Sequence, residues 1–158
     1  MKYVHVFSEL ELDADDIAYL DNLRDTNKDL ATSTFQGYEM KSGYRQHFLE
    51  EEFTHSFYNK ITALYPNWRG VSKPQISRVS GELKVHNDFR EYALSIPLVD
   101  LNNPITFWNS RDDDKEILHQ YHYVKYQPVI INAQQLHSVI DNDEDRIFFQ
   151  MTWFEMPE

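Results

Sequence analysis

Three side chains suited to a divalent metal lie in the second half of the chain, in two short segments. His86 and Asp88 belong to KVHNDF, and His137 belongs to QQLHSV. Successive side chains of an extended strand alternate between its two sides, so His86 and Asp88 would point the same way. A distant His137 could then complete a set of two imidazoles and one carboxylate. Such a set suits Fe(II) and leaves about three coordination positions open for other ligands.

The His-x-Asp spacing is weak support on its own, because a chain with seven histidines and many aspartates contains it easily by chance. Taken alone, His86 is more often a turn or surface histidine beside Asp88. The context favours the metal interpretation. Gly81 stands five residues before His86, and His137 lies on a later candidate strand.

Arg146 follows His137 by nine residues, at the head of the final candidate strand. A planar guanidinium binds a carboxylate through two hydrogen bonds, and inside a barrel its charge would need an anion to offset it. The alternative is an exposed pairing with the acidic neighbours in DNDEDR. Strand alternation places Arg146 on a face with polar groups, which favours the anion-binding interpretation.

The elements that must position these residues change character along the chain. Lys2 to Phe7 predicts a short strand. The stretch from Asp13 to about Asn27 predicts an N-capped amphipathic helix. Apolar residues at three- and four-residue steps from Leu49 to Leu64 predict a second helix, which Pro66 ends. The segment 29–46 has low periodicity and predicts an irregular loop, either a lid over a pocket or a loop along the wall.

From Pro74 onward, short runs of β-branched and aromatic residues alternate with turn residues. They predict strands near 75–80, 83–87, 91–98, 104–108, 116–124, 128–132, 136–140 and 145–154. Eight strands without intervening helices indicate a mainly β fold, an antiparallel double sheet or barrel with the N-terminal helices on one outer face.

The final strand predicts two different faces. One face is wholly apolar, with Ile147, Phe149, Met151 and Trp153. The other face carries polar groups as well as an aromatic ring, with Arg146, Phe148, Gln150 and Thr152. A β-barrel with a partly polar interior is a place to bind a ligand. Other residues on the predicted inner strands that could contact such a ligand are Ser95, Asn132, Tyr92 and Arg78.

The 158 residues fit one domain, with a helical part over 1–70 and a β core over 74–155. The lack of cysteine excludes disulfide frameworks, thiolate metal sites and cysteine nucleophiles. No apolar run is long enough for a membrane helix, and we expect a cytoplasmic protein. The net charge of −11 argues against nucleic acid as a partner and favours a neutral or cationic substrate.

From Gln75 to Phe154 the chain resembles the 2-oxoglutarate- and Fe(II)-dependent dioxygenases of the double-stranded β-helix fold, also called jelly-roll or cupin-like. The residues that carry the resemblance are HNDFREYALSIPL and INAQQLHSVIDNDEDRIFFQMTWF. They look most like the aspartyl/asparaginyl β-hydroxylase-like and related small hydroxylases. One departure is that Ile147 and Phe148 follow Arg146, so the Arg-x-Ser pair of some branches is absent.

The resemblance implies that His86, Asp88 and His137 bind Fe(II), and that Arg146 holds the far carboxylate of 2-oxoglutarate. It further implies a hydroxylase of a small molecule or a protein side chain that consumes dioxygen. Ser95 and Asn132 are the further residues expected to bind 2-oxoglutarate. Two alternatives keep the fold: a cupin-like metal enzyme that does not use 2-oxoglutarate, and a metal-free binding module.

The remaining motifs favour structural interpretations. His119 and His122 are three residues apart, so a strand would place them on opposite faces, and we expect a solvated strand. The acidic run 111–116 lacks the ligand spacing of a calcium loop and predicts a solvated connection. Trp108 and Asn109 could lie at the rim of the pocket.

Overall fold

The computed structural model describes residues 2–26, 34–35, 38–39, 44–48, 56–64, 74–80, 83–88, 92–139 and 145–153. The helices in these ranges are α1 (Ala14–Thr26) and α2 (Ser56–Leu64). The strands are β1 (Val4–Val6), β2 (Thr34–Phe35), β3 (Tyr38–Glu39), β4 (Tyr44–Phe48), β5 (Gln75–Ser80), β6 (Leu83–His86), β7 (Tyr92–Pro97), β8 (Ile105–Trp108), β9 (Ile117–Tyr121), β10 (Val129–Asn132), β11 (His137–Val139) and β12 (Asp145–Trp153).

Two antiparallel sheets form the barrel. The larger has the order β1-β10-β7-β12-β5-β4, and the smaller has the order β6-β11-β8-β9. The eight strands from β5 to β12 are divided equally between the two sheets, and the chain crosses repeatedly from one to the other. This arrangement is a double-stranded β-helix, as the family resemblance implies, and it confirms the antiparallel double sheet predicted from the strand pattern.

The predicted strands after Pro74 all occur, although β9 ends at Tyr121 and is shorter than expected. Helix α1 also matches its prediction. Helix α2 begins at Ser56, and the earlier part of the predicted helix lies outside the described residues. Neither described helix is long and apolar enough to cross a membrane.

The segment 29–46 contains strands where an irregular loop was expected. β2 pairs with β3, and β4 extends the large sheet by pairing with β5. The prediction of an irregular segment is therefore wrong for these strands, because pairing with β5 rather than a local apolar pattern makes β4 a strand. If this segment covers a pocket, Tyr38, Tyr44 and Arg45 are its candidate substrate contacts, and their side chains lie outside the described part of the structure.

The two helices pack against the outer face of the large sheet. Phe149 of β12 is fully buried, and its ring contacts those of Phe57 and Tyr58 at centroid distances of 5.1 and 6.2 Å. Burying a side chain of this size contributes about 1.5–3 kcal/mol. The same core cluster includes Ile147 and Met151, so the apolar face of the last strand packs against the helices as predicted.

An ion-pair cluster joins the two helices at the start of α1. The backbone N–H groups of Asp13 and Asp16 each donate to the other residue's carboxylate, and Lys60 of α2 donates to both carboxylates. The hydrogen bond from Lys60 lowers the pKa of Asp13 from 3.8 to about 2. Because this folded-state pKa is depressed, the cluster stabilises the fold above about pH 4 and loses that contribution as the pH falls toward about 2.

The interior between the two sheets is apolar on one side and polar on the other. The apolar side contains Ile105, Phe107, Val129, Ile131 and Val139. The polar side follows β12 and its neighbours β5 and β7. The candidate site lies in this half-polar interior.

Candidate metal centre

Strand pairing brings the three predicted ligands to one end of the small sheet. His137, the first residue of β11, lies directly opposite His86, the last residue of β6. Residues opposite each other in an antiparallel pair point to the same face. Asp88 follows two residues later, and its backbone N–H donates to the carbonyl of Ala133, which holds it beside the start of β11.

One donor atom from each of His86, Asp88 and His137 lies within 4.8 Å of the others. The Nε2 atom of His137 is 3.8 Å from Oδ2 of Asp88, and the two imidazole centroids are 4.4 Å apart. Protein ligands stand about 2.0–2.2 Å from a small divalent ion, so a modest inward movement brings all three into one coordination sphere. His137 is buried, His86 is half-buried and Asp88 is exposed, so the site opens toward solvent on the carboxylate side.

A hydrogen bond to a backbone carbonyl orients each of the two histidine rings for metal binding. Nδ1 of His86 lies 2.6 Å from the Lys84 carbonyl, and Nδ1 of His137 lies 2.7 Å from the Gln135 carbonyl. A carbonyl oxygen can only accept, so each Nδ1 carries a proton, and in the neutral ring Nε2 is the nitrogen with a lone pair. Metal-binding histidines are oriented in this way by an acceptor behind the ring. The donor set therefore fits a divalent metal such as Fe(II).

Arg146 lies fully buried on the inner face of β12, opposite Val79 of β5. Tyr123 comes close to it and packs edge-on against Phe148, with ring centroids 5.0 Å apart. Burial raises the pKa of the Tyr123 phenol, neighbouring Tyr121 adds to the rise, and the charge of Arg146 opposes it. The phenol therefore stays protonated at neutral pH, and its O–H group and the guanidinium are donors suited to an anion.

A polar network continues along the inner face from Arg146. The side-chain oxygen of Gln150 accepts hydrogen bonds from Gln75 at 3.2 Å and from Ser77 at 2.9 Å. Its amide nitrogen donates to the hydroxyl of Ser95 at 3.2 Å. The structure thus brings predicted Ser95 onto the same inner surface as Arg146.

Other predicted contacts lie elsewhere. Asn132 shares the β10 face of Ile130, which packs toward the helices, and its amide donates to the Lys2 carbonyl at 3.1 Å. Arg78 pairs with Asp145. Trp108 donates to the Ser138 hydroxyl at 2.8 Å.

Sequence reasoning did not single out Tyr123 or the network around Gln150. Alternation placed Gln150 on the mixed face of the last strand, but its partners depend on cross-strand register. Tyr123 belongs to the tyrosine-rich segment HQYHYVKY, which offers no spacing that points to Arg146. His119 and His122 are exposed, as expected for solvated residues.

The sequence matches no family model and no curated protein. Among solved structures, a prolyl hydroxylase from Trichoplax adhaerens, in complex with a hypoxia inducible factor peptide fragment, aligns with a TM-score of 0.66 at 8% identity over 98% of this chain and 84% of that one. The viral collagen prolyl hydroxylase of Paramecium Bursaria Chlorella virus-1, as a 2-oxoglutarate complex, aligns at 0.58 with 10% identity, covering 96% of this chain and 94% of that one.

HygX from Streptomyces hygroscopicus, with nickel and 2-oxoglutarate bound, aligns at a TM-score of 0.54 with 9% identity, covering 95% of this chain and 82% of that one. A 2OG-Fe(II) oxygenase family member from Burkholderia pseudomallei aligns at 0.56 with 11% identity over 92% of this chain and 82% of that one. The fold is shared although few residues are identical. The chain therefore has the double-stranded β-helix fold of the 2-oxoglutarate- and Fe(II)-dependent oxygenases.

Proposed function

We propose that the protein is an Fe(II)- and 2-oxoglutarate-dependent oxygenase that hydroxylates a small molecule or a protein side chain. The observation that carries the proposal is the convergence of His86, Asp88 and His137, with Nδ1 of both histidine rings committed to a backbone carbonyl, which leaves each Nε2 for the shared site. The second support is the buried guanidinium of Arg146 inside the same barrel.

The two Nε2 atoms and the Asp88 carboxylate would hold Fe(II). Iron bound in this way supplies the activation of dioxygen that is coupled to oxidative decarboxylation of 2-oxoglutarate to succinate and carbon dioxide. The protein contributes a fixed set of three ligands and open positions for the co-substrates. Asp88, on the exposed side, leaves the metal accessible to the substrate that is oxidised.

Arg146 would bind the far carboxylate of 2-oxoglutarate through its guanidinium, and Tyr123 would donate its O–H to the same group. Charge-assisted bidentate pairs of this kind are strong and directional. Phe148 and the apolar cluster around Phe107 exclude water from the interior, which strengthens such a pair. The hydroxyl of Ser95 and the side-chain amide of Gln150 lie on the same inner surface as Arg146. They would add polar contacts to the bound 2-oxoglutarate.

Two observations bear on the substrate class. The prolyl hydroxylase from Trichoplax adhaerens was solved with a peptide fragment, which supports a peptide substrate for this chain as well. The net charge of −11 favours a neutral or cationic substrate over an anionic one.

Turnover of 2-oxoglutarate tests the proposal without knowledge of the substrate. Aerobic protein with Fe(II), ascorbate and 2-oxoglutarate should release succinate slowly, and Asp88→Ala should reduce the rate at least about tenfold because the iron loses a ligand. Succinate is measured by mass spectrometry, with Asp100→Ala, at an exposed aspartate between β7 and β8, as the control. Equal rates in Asp88→Ala and wild type, or no succinate from iron-loaded wild type, would contradict the proposal.

A further inference from the structure

A single row of residues crosses the inner face of the small sheet at the level of the candidate metal ligands. His137 lies opposite His86 on one side and opposite Phe107 on the other. Phe107 lies in turn opposite His119 of β9. The ring centroid of Phe107 is 6.0 Å from that of His137 and 6.1 Å from that of His119. A continuous line of rings therefore leads from the metal site to the edge strand.

Tyr3 completes this line from the other sheet. Its ring stacks on His119 with centroids 5.3 Å apart and planes 10° from parallel, and it lies 5.1 Å from Phe107. The Tyr3 carbonyl accepts the backbone N–H of Asn132 at 2.8 Å, and the Asn132 side chain binds the preceding carbonyl of Lys2. Asn132 thus fixes the segment that carries Tyr3, which gives this residue a structural explanation.

The three rings differ in exposure. Phe107 is fully buried, Tyr3 is half-buried and His119 is exposed. Buried Phe107 therefore supports the stack from the protein interior, and the His119 end of the stack is exposed to solvent. Aromatic pairs prefer offset-stacked or edge-to-face contacts at centroid distances of about 4.5–7 Å, and each contributes about 0.5–1.5 kcal/mol beyond the area it buries. A stack that is already ordered loses little side-chain entropy when another ring joins it.

We propose that Tyr3 and His119, which pack against buried Phe107 and together with it are called the ring wall, form a substrate subsite for a planar aromatic or heteroaromatic ring. This inference rests on the proposed oxygenase function, since it takes the metal site at His137 as the place of oxidation. The prime substrate carries a ring that stacks at His119.

The sheet also sets the length of that substrate. Two interstrand spacings separate His119 from His137, a distance of about 10 Å. An extended peptide covers this distance with about three residues. A free amino acid is too short to place its ring on the ring wall and its reacting carbon at the metal. The subsite therefore fits a peptide, or a ring-bearing molecule of comparable length.

Ligand-observed NMR on the full chain tests the subsite with N-acetyl-L-tryptophanamide as the probe. Wild-type protein should transfer saturation to the indole protons, and His119→Ala should reduce the transfer at least about threefold because one stacking partner is lost. His122→Ala, at the neighbouring exposed histidine beyond the end of β9, should match wild type. N-acetyl-L-leucinamide, which has no ring, should receive much less saturation.

Mn(II) then locates the bound probe. With Mn(II) at the candidate metal site, the indole protons should broaden strongly at a distance of about 10 Å. In His137→Ala the broadening should vanish while the saturation transfer persists. These two readouts separate the subsite from the metal site.

Several results would overturn the ring wall as a subsite. They are no transfer to the indole in wild type, equal transfer to the leucine probe, unchanged transfer in His119→Ala, and an indole that binds without broadening while Mn(II) is bound. Failure of wild-type protein to bind Mn(II) would instead count against the proposed function, and the saturation transfer alone would then decide whether the ring wall binds a ring.

Discussion

Replacing His137 by alanine should abolish Fe(II) binding with little loss of fold. His137 is the buried member of the three ligands, and its Nδ1 is already committed to the Gln135 carbonyl. Removing a partner that only orients a metal ligand costs about 10–100-fold in affinity, and removing the ligand itself should cost at least about 100-fold. The pairing of β11 with β6 and β8 uses backbone groups, so the sheet should persist.

Anaerobic titration with Fe(II), followed by calorimetry, measures this loss. Circular dichroism and the urea midpoint of the same variant show whether the fold survives. His122→Ala is the matched control, because it removes an exposed imidazole that is not among the three candidate ligands. Unaltered iron affinity in His137→Ala would remove this residue from the metal centre.

Replacing Arg146 should raise the concentration of 2-oxoglutarate that the protein requires and leave iron binding unchanged. A charge-assisted hydrogen bond contributes about 1.5–3 kcal/mol. Its loss corresponds to a rise of about 10–150-fold in the dissociation constant of 2-oxoglutarate. Arg146→Ala removes the interaction completely, and Arg146→Met removes the charge with less change in volume.

Two controls define this prediction. Arg146→Lys keeps the charge but loses the planar fork, so its affinity for 2-oxoglutarate should lie between those of wild type and Arg146→Met. Arg78→Met changes an arginine on the neighbouring strand that pairs with Asp145, and it should leave the affinity for 2-oxoglutarate unchanged. Equal affinity in wild type and Arg146→Met would show that Arg146 does not bind this ligand.

The strands of the barrel were predictable because their side chains alternate. The polar and apolar faces of β12 could be assigned residue by residue, and the apolar face does pack on the helices. β4 was not predictable, because its sequence, YRQHF, gains its strand conformation from pairing with β5. Local pattern specifies a strand best when one face is buried in an apolar core.

The candidate site was predictable in its ligands but not in its supporting contacts. The spacing of His86 and Asp88 is visible in the sequence, whereas the bonds from both Nδ1 atoms to carbonyls depend on the local backbone path. Tyr123 reaches Arg146 only because the chain beyond β9 folds back against β12. Register also decides the place of Asn132, whose amide contacts a residue from the other end of the chain.

The most direct test of the metal centre and its co-substrate is an anaerobic titration of Fe(II) and then 2-oxoglutarate, observed by visible absorption. Chelation of a 2-oxo acid to the iron gives a weak charge-transfer band. We predict this band in wild type and its loss in Asp88→Ala. Bound iron without a band would contradict the use of 2-oxoglutarate and favour a cupin-like metal enzyme, and no bound iron would contradict the metal centre and favour a binding module.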